Sequence, residues 1–170
     1  VNSDGNHGKG NALKKGFVKS KGDFIVTMDA DGSHKPEDLS RIVDSILKEN
    51  VEVVISSRFN DEMGKDSTSR LHLIGNKMIN AVILFLTGRY VSDSQSGLRA
   101  YKRRVLMELP IGSSRYEIET EMIVKMLRNG FRIKEIPITC LKRKAGRSKI
   151  NSFRDGFSIL KTILKATFFN

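Results

Sequence analysis

Residues 24–57 constrain the fold most. An apolar run, Phe24-Ile25-Val26-Thr27-Met28, is followed by PEDLSRIVDSILKEN and then by VEVVISSRF. The first run is continuous rather than alternating, which predicts an inner strand covered on both faces. In the middle segment Leu39, Ile42, Val43, Ile46 and Leu47 form one helical stripe. Pro36 suits the first turn of that helix, and Glu37 and Asp38 suit its positive start. VEVVISSRF reads as a second strand. Strand, helix, strand in this order predicts a right-handed crossover in a mostly parallel sheet with helices on both faces, an α/β class.

The rest of the chain fits one domain. Its 170 residues are enough for a real core. A helix is expected over residues 8–20, entered through Gly8 and Gly10. LHLIGNKMINAVILFLTG reads as a long apolar helix closed by Gly88, and EIETEMIVKMLRNG as a helix closed by Gly130. VSDSQSGLRAYKRRVLMEL reads as a turn, a short strand and a helix. FRIKEIPITCL alternates like a half-buried strand, with Pro137 favouring an edge. Residues 151–170 read as an amphipathic helix, apolar at Phe153, Phe157, Leu160, Leu164 and Phe168. No window approaches the roughly 20 apolar residues of a membrane span. The single Cys140 excludes an internal disulfide and favours a reducing compartment.

The formal net charge is +11. Lys142, Arg143, Lys144, Arg147, Lys149, Arg154, Lys161 and Lys165 stand against Asp155 alone in the last thirty residues, which therefore carry +7 of it. Such a field suits an anionic partner, although a solubilising face is the commoner outcome of a charge run. Against this background two acids, Asp29 and Asp31, close the first apolar run. In open α/β sheets ligands bind beyond the carboxyl ends of strands. Residues i and i+2 of a strand share a side, so both carboxylates can face one cleft. Two converging anions call for a cation, and hard oxygens with open positions suit Mg²⁺ or Mn²⁺ carrying a substrate phosphate. The alternative is a turn at Asp31-Gly32, with Asp29 capping local amides. GNHGKG is not a P-loop, since the Lys-Ser/Thr ending is missing.

GKGNALKKGF, DFIVTMDADGSHKPEDL, VVISSRF, DSQSGLRAY, EIETEM and RKAGRSKI occur here in the order found in family-two inverting glycosyltransferases. The chain most resembles the branch that moves a hexose from a nucleotide sugar to a polyprenyl phosphate, the dolichyl-phosphate mannose or glucose synthases. The resemblance covers nearly the whole chain and implies a GT-A fold. The family's first strand and nucleotide-base pocket would lie upstream of Val1, so the domain is expected to be incomplete at its N-terminus.

The resemblance also implies site residues. Asp29 and Asp31 would hold the metal, with Ser33 where many synthases of this branch carry a metal-assisting Gln. Lys9 and Gly10 would lie near the nucleotide. Arg58 and Arg70 would serve the acceptor phosphate. In DSQSGLRAY, Gly97 would permit a tight turn, Asp93 and Ser96 would face the site, and Arg99 would clamp phosphate in two-pronged fashion. Turn chemistry explains Asp93 or Ser96 equally well. Glu121 would face the acceptor, with Glu119 as its neighbour, whereas complementing the helix dipole explains these acids without a site. Arg143, Ser148 and Lys149 would close over the diphosphate or the lipid phosphate.

The function this implies is metal-dependent, inverting transfer of a hexose from a GDP-mannose or UDP-glucose type donor to a polyprenyl phosphate. The setting would be the cytoplasmic face of a membrane, with the last helix at its surface. One alternative is transfer to a saccharide hydroxyl, which needs a general base, with Asp93 or Glu121 as candidates. Another is a non-catalytic phosphate- or nucleic-acid-binding module. Nucleic acid is not the expected partner, because aromatic and basic residues do not interleave.

Overall fold

A computed structural model describes residues 8–58, 70–139, 141 and 152–168. The elements are α1 (Lys9–Lys19), β1 (Phe24–Thr27), α2 (Pro36–Lys48), β2 (Val53–Ser57), α3 (Arg70–Thr87), β3 (Arg99–Lys102), α4 (Arg103–Glu108), α5 (Ile118–Arg128), β4 (Ile133–Pro137) and α6 (Ser152–Phe168). Local chemistry explains their ends. Pro36 opens α2, where its missing N–H costs nothing. Gly88 and Gly130, just past α3 and α5, have φ of 69° and 76°, which side chains other than glycine's rarely adopt.

The four strands lie in the order β1-β3-β2-β4. β1 and β2 point the same way, as strand-helix-strand predicts, but they are not neighbours. β3 inserts between them, antiparallel to both, with Ile25 and Val53 both opposite Tyr101. Only β2 and β4 pair in parallel, from Val53↔Ile133 to Ser57↔Pro137. The sheet is therefore mixed. β1 is an edge strand among the described residues. Among the described residues Ile25 is buried, whereas Phe24, Val26 and Met28 are exposed, so one face of β1 is covered here rather than the two expected. β2 has neighbours on both sides and all five of its residues are buried. Pro137 ends β4 on the other edge, where its missing donor is harmless.

Alternation along the strands divides the core between the two faces. Ile25, Val53, Ile55 and Tyr101 pack with Phe17, Ile83, Met122, Ile123 and Ile163 of α1, α3, α5 and α6. Val54, Ala100 and Ile136 point the other way, onto Ile42 and Ile46 of α2. The α2 stripe is narrower than its sequence suggests, because Leu47 is exposed. This topology fixes the site. The carboxyl ends of β1, β2 and β4 and the amino end of antiparallel β3 all lie at one end of the sheet.

Glu52, one residue before β2, ties that strand to β4. Its carboxylate accepts from the Arg132 amide (2.9 Å), Nε (3.2 Å) and guanidinium (2.8 Å), and from Arg104 (3.2 Å). The Arg132 hydrogen bonds outweigh the opposing effect of burial and lower the Glu52 pKa from 4.5 to about 2. A carboxyl depressed on folding stabilises above its unfolded pKa and loses that contribution as pH falls through the folded one. Glu52→Gln should therefore lower the urea midpoint near neutral pH. The gap to the wild type should close as pH falls from 4.5 towards about 2.

Candidate active site

Asp29 and Asp31 lie on a loop, two and four residues beyond the end of β1. Tertiary contacts, rather than strand geometry, hold them. Asp29 packs against Gly97, where an added Cβ would lie 2.3 Å from Oδ2. Gly97 is thus required for close approach and not for a positive φ. The Lys9 ammonium, at the start of α1, donates to Asp29 Oδ1 and to Glu119 Oε1 of α5, both at 2.7 Å. Burial opposes the charge on Lys9, but Glu119 and Asp29 more than offset it and raise its pKa. Burial raises the Glu119 pKa, with Lys9 and Arg99 pulling the other way. Asp31 Oδ1 accepts from the Ser33 amide (3.0 Å) and the Ser33 hydroxyl (2.6 Å), and Gly32 between them has φ 76°. The Asp31-Gly32 turn is real, and it fixes the carboxylate that a cation would use.

Several implied residues have other work. Arg99 is 1% exposed and donates to the carbonyls of Ser96 (2.7 Å), Ser94 (2.7 Å) and Glu119 (3.0 Å). It braces the loop and cannot clamp a phosphate from there. Ser96 is buried with its hydroxyl on Ser56. Gly10 is buried against the backbone of Ser113 and Ser114, where a Cβ would meet Ser114 C at 2.6 Å, so it packs α1 onto that loop. Ser33 turns its hydroxyl onto Asp31.

The two candidate bases are also engaged. Asp93 is fully buried and accepts from Arg58 Nε (2.7 Å), NH2 (2.8 Å) and amide (3.2 Å), from Asn76 (3.1 Å) and from the Gln95 amide (3.3 Å). It orients Arg58, at the carboxyl end of β2, in bidentate fashion. Glu121 accepts from the amides of Gly112 (3.0 Å) and Ser113 (2.8 Å) and pairs with Lys125 (3.1 Å). Burial pushes its pKa up, but those donors prevail and hold it below the ordinary value. Glu119 and Glu121 are two residues apart on a helix and so point in different directions. Glu119 reaches the Asp29 cluster and Glu121 fixes the 112–113 loop.

The Leu141 amide donates to the Ser33 carbonyl (3.0 Å), so the chain enters its basic segment beside the Asp31 turn. Arg143, Ser148 and Lys149 lie outside the described residues, as does the side chain of Arg70. The histidines His7, His34 and His72 show no metal-ligand spacing in the sequence, which gave His34 no role. Its ring nitrogens are buried without a hydrogen-bond partner among the described residues. Burial lowers its pKa, while Asp29 and Asp31 act to raise it. Its place three residues after Asp31 was the only signal.

The 1–109 segment matches the family model Glycosyl transferase family 2. The chain belongs to glycosyl transferase family 2. It is 30% identical to a UDP-N-acetylglucosamine–dolichyl-phosphate N-acetylglucosaminyltransferase of Methanococcus voltae, over 96% of this chain and 67% of the relative. It is 33% identical to a polyprenol monophosphomannose synthase of Mycolicibacterium smegmatis, over 82% of this chain and 51% of the relative. Its fold is GT-A. The glucosyl-3-phosphoglycerate synthase of Mycobacterium tuberculosis, crystallised with Mn²⁺, UDP and phosphoglyceric acid, superposes with a TM-score of 0.70 at 22% identity. That match covers 95% of this chain and 54% of the synthase, so this family 2 chain spans about half to two thirds of these relatives.

Gly97→Ala should drive a methyl group into the Asp29 carboxylate and cost about 1–3 kcal/mol by thermal denaturation. The same change should cost less in an Asp29→Ala background, where the clash is gone.

Proposed function

We propose that this chain transfers a hexosyl group from a nucleoside-diphosphate sugar to a polyprenyl (dolichyl-type) phosphate, with inversion at the anomeric carbon. The observation that carries this choice is the state of the two candidate bases. Asp93 is saturated by five donors, and Glu121 by two amides and an ammonium. A saccharide hydroxyl needs one of them to take its proton. A phosphate acceptor is already ionised near neutral pH and needs neither. The names of the relatives point to the same acceptor class.

In this reading the acceptor phosphate oxygen attacks the anomeric carbon in line. The bond from that carbon to the donor diphosphate breaks, and the nucleoside diphosphate leaves with the electron pair. Arg58, aimed by Asp93, holds the acceptor phosphate. Catalysis rests on positioning and on stabilising charge. Asp29 and Asp31 suit Mg²⁺ or Mn²⁺. Among the described residues no three His, Cys, Asp or Glu side chains form a cage of their own. Such ions, however, take one or two carboxylates and complete their shell with phosphate oxygens and water. A cation held there would supply positive charge to the leaving diphosphate. The basic segment that begins beside Ser33 would close over the phosphates, Arg143, Ser148 and Lys149 among them, with Arg70 near the acceptor.

A lipid acceptor needs a membrane surface. No described helix is long and apolar enough to cross a membrane. Two helices nevertheless expose apolar stripes. Ile74, Met78 and Phe85 run along α3, and Phe157, Leu160, Leu164 and Phe168 along α6, with Lys77, Lys161 and Lys165 exposed among them. Apolar side chains flanked by lysines suit the interface of an anionic bilayer. The expected setting is the cytoplasmic face, where nucleotide sugars are available.

Calorimetric titration of Mn²⁺ with UDP-glucose and with GDP-mannose tests the donor site. Metal-dependent binding that Asp29→Asn/Asp31→Asn abolishes is expected, and the preferred nucleotide names the donor class. Binding indifferent to metal and to both acids, but steep in salt, would instead favour the phosphate- or nucleic-acid-binding module. Phe85→Ser/Phe157→Ser should weaken co-sedimentation with anionic vesicles about tenfold or more, since each phenylalanine contributes a few kcal/mol on burial.

A further inference from the structure

We propose that Glu119 is a positioning residue of the donor site, acting through Lys9 on Asp29; this rests on the metal-dependent reading above. Three observations carry it. The Lys9 ammonium is shared equally, 2.7 Å from Asp29 Oδ1 and 2.7 Å from Glu119 Oε1. The Glu119 side chain is only 10% exposed, against 34% for Asp29, so one carboxylate is part of the interior and the other reaches solvent. The surroundings leave Glu119 little freedom. Its own carbonyl accepts from Arg99, and Gly10, packed against Ser113 and Ser114, seats the start of α1 beside α5.

The physical consequence is a balance of charge. A divalent cation at Asp29 and Asp31 feels the Lys9 ammonium as a repelling neighbour. Glu119 cancels most of that repulsion and draws the ammonium inward, leaving Asp29 oxygen available to the cleft. With Glu119 neutral, the whole Lys9 charge faces Asp29 and competes with the metal for it. Glu119 therefore touches neither substrate nor metal, yet it sets how strongly Asp29 can take part.

Calorimetric affinity for Mn²⁺ with whichever of UDP and GDP the unmodified chain binds decides the matter. Glu119→Gln keeps the shape and should weaken metal-nucleotide binding about tenfold or more, as loss of a ligand-orienting partner commonly does. In a Lys9→Met background the same Glu119→Gln change should cost far less, because no ammonium is left for Glu119 to draw away from Asp29. Glu119→Asp should restore part of the affinity. If Lys9→Met does not fold, Lys9→Gln, which still bridges the two carboxylates by hydrogen bonds, replaces it. An unchanged affinity in Glu119→Gln overturns the proposal, as does an equal loss in both Lys9 backgrounds, which would mark Glu119 as part of the scaffold only. Absence of any metal-nucleotide binding by the unmodified chain fails the metal reading itself.

Discussion

One ammonium group organises the acidic end of this sheet. Lys9 is brought there by α1, Asp29 by the loop after β1, and Glu119 by the first turn of α5. Two carboxylates so close would repel without a cation between them. With Lys9 in place that repulsion is offset, and Asp29 can lie against Gly97. Glu121, on another face of the same helix turn, holds the 112–113 loop on which α1 is seated. The two glutamates thus support the position of Lys9 from opposite directions.

Buried charge follows the same logic elsewhere. Arg99 and Asp93 are almost wholly excluded from water, and each is held by several hydrogen bonds. Leaving such a group unpaired would cost several kcal/mol, so neither is free to swing towards a ligand. Arg99 spends its donors on carbonyls, and Asp93 spends its oxygens on Arg58, Asn76 and the Gln95 amide. Asp31 and Arg58, by contrast, are only half-buried.

The sequence made most helices and strands legible, because each has strong local signals. Pro36 and the Ile42/Ile46 spacing mark α2, and Gly88 and Gly130 mark helix ends. Strand neighbours were harder. DSQSGLRAY carries no local sign that its strand runs between β1 and β2, since pairing partners are chosen by contacts far apart in the chain.

For the site, residue type and order by themselves determined the family resemblance, the acidic pair and the basic segment after residue 141. They could not assign duties to individual side chains. Arg99, Ser96 and Asp93 all look like ligand-facing residues in a glycine-containing loop, and only the tertiary structure shows them turned inward. Glu119 and Glu121 look alike in EIETEM, and only the packing of α5 against α1 separates them. A side chain's chemistry is written in its identity, whereas its availability depends on which neighbours desolvate it and claim its hydrogen bonds. Those neighbours come from elements as far apart as Lys9 and Glu119.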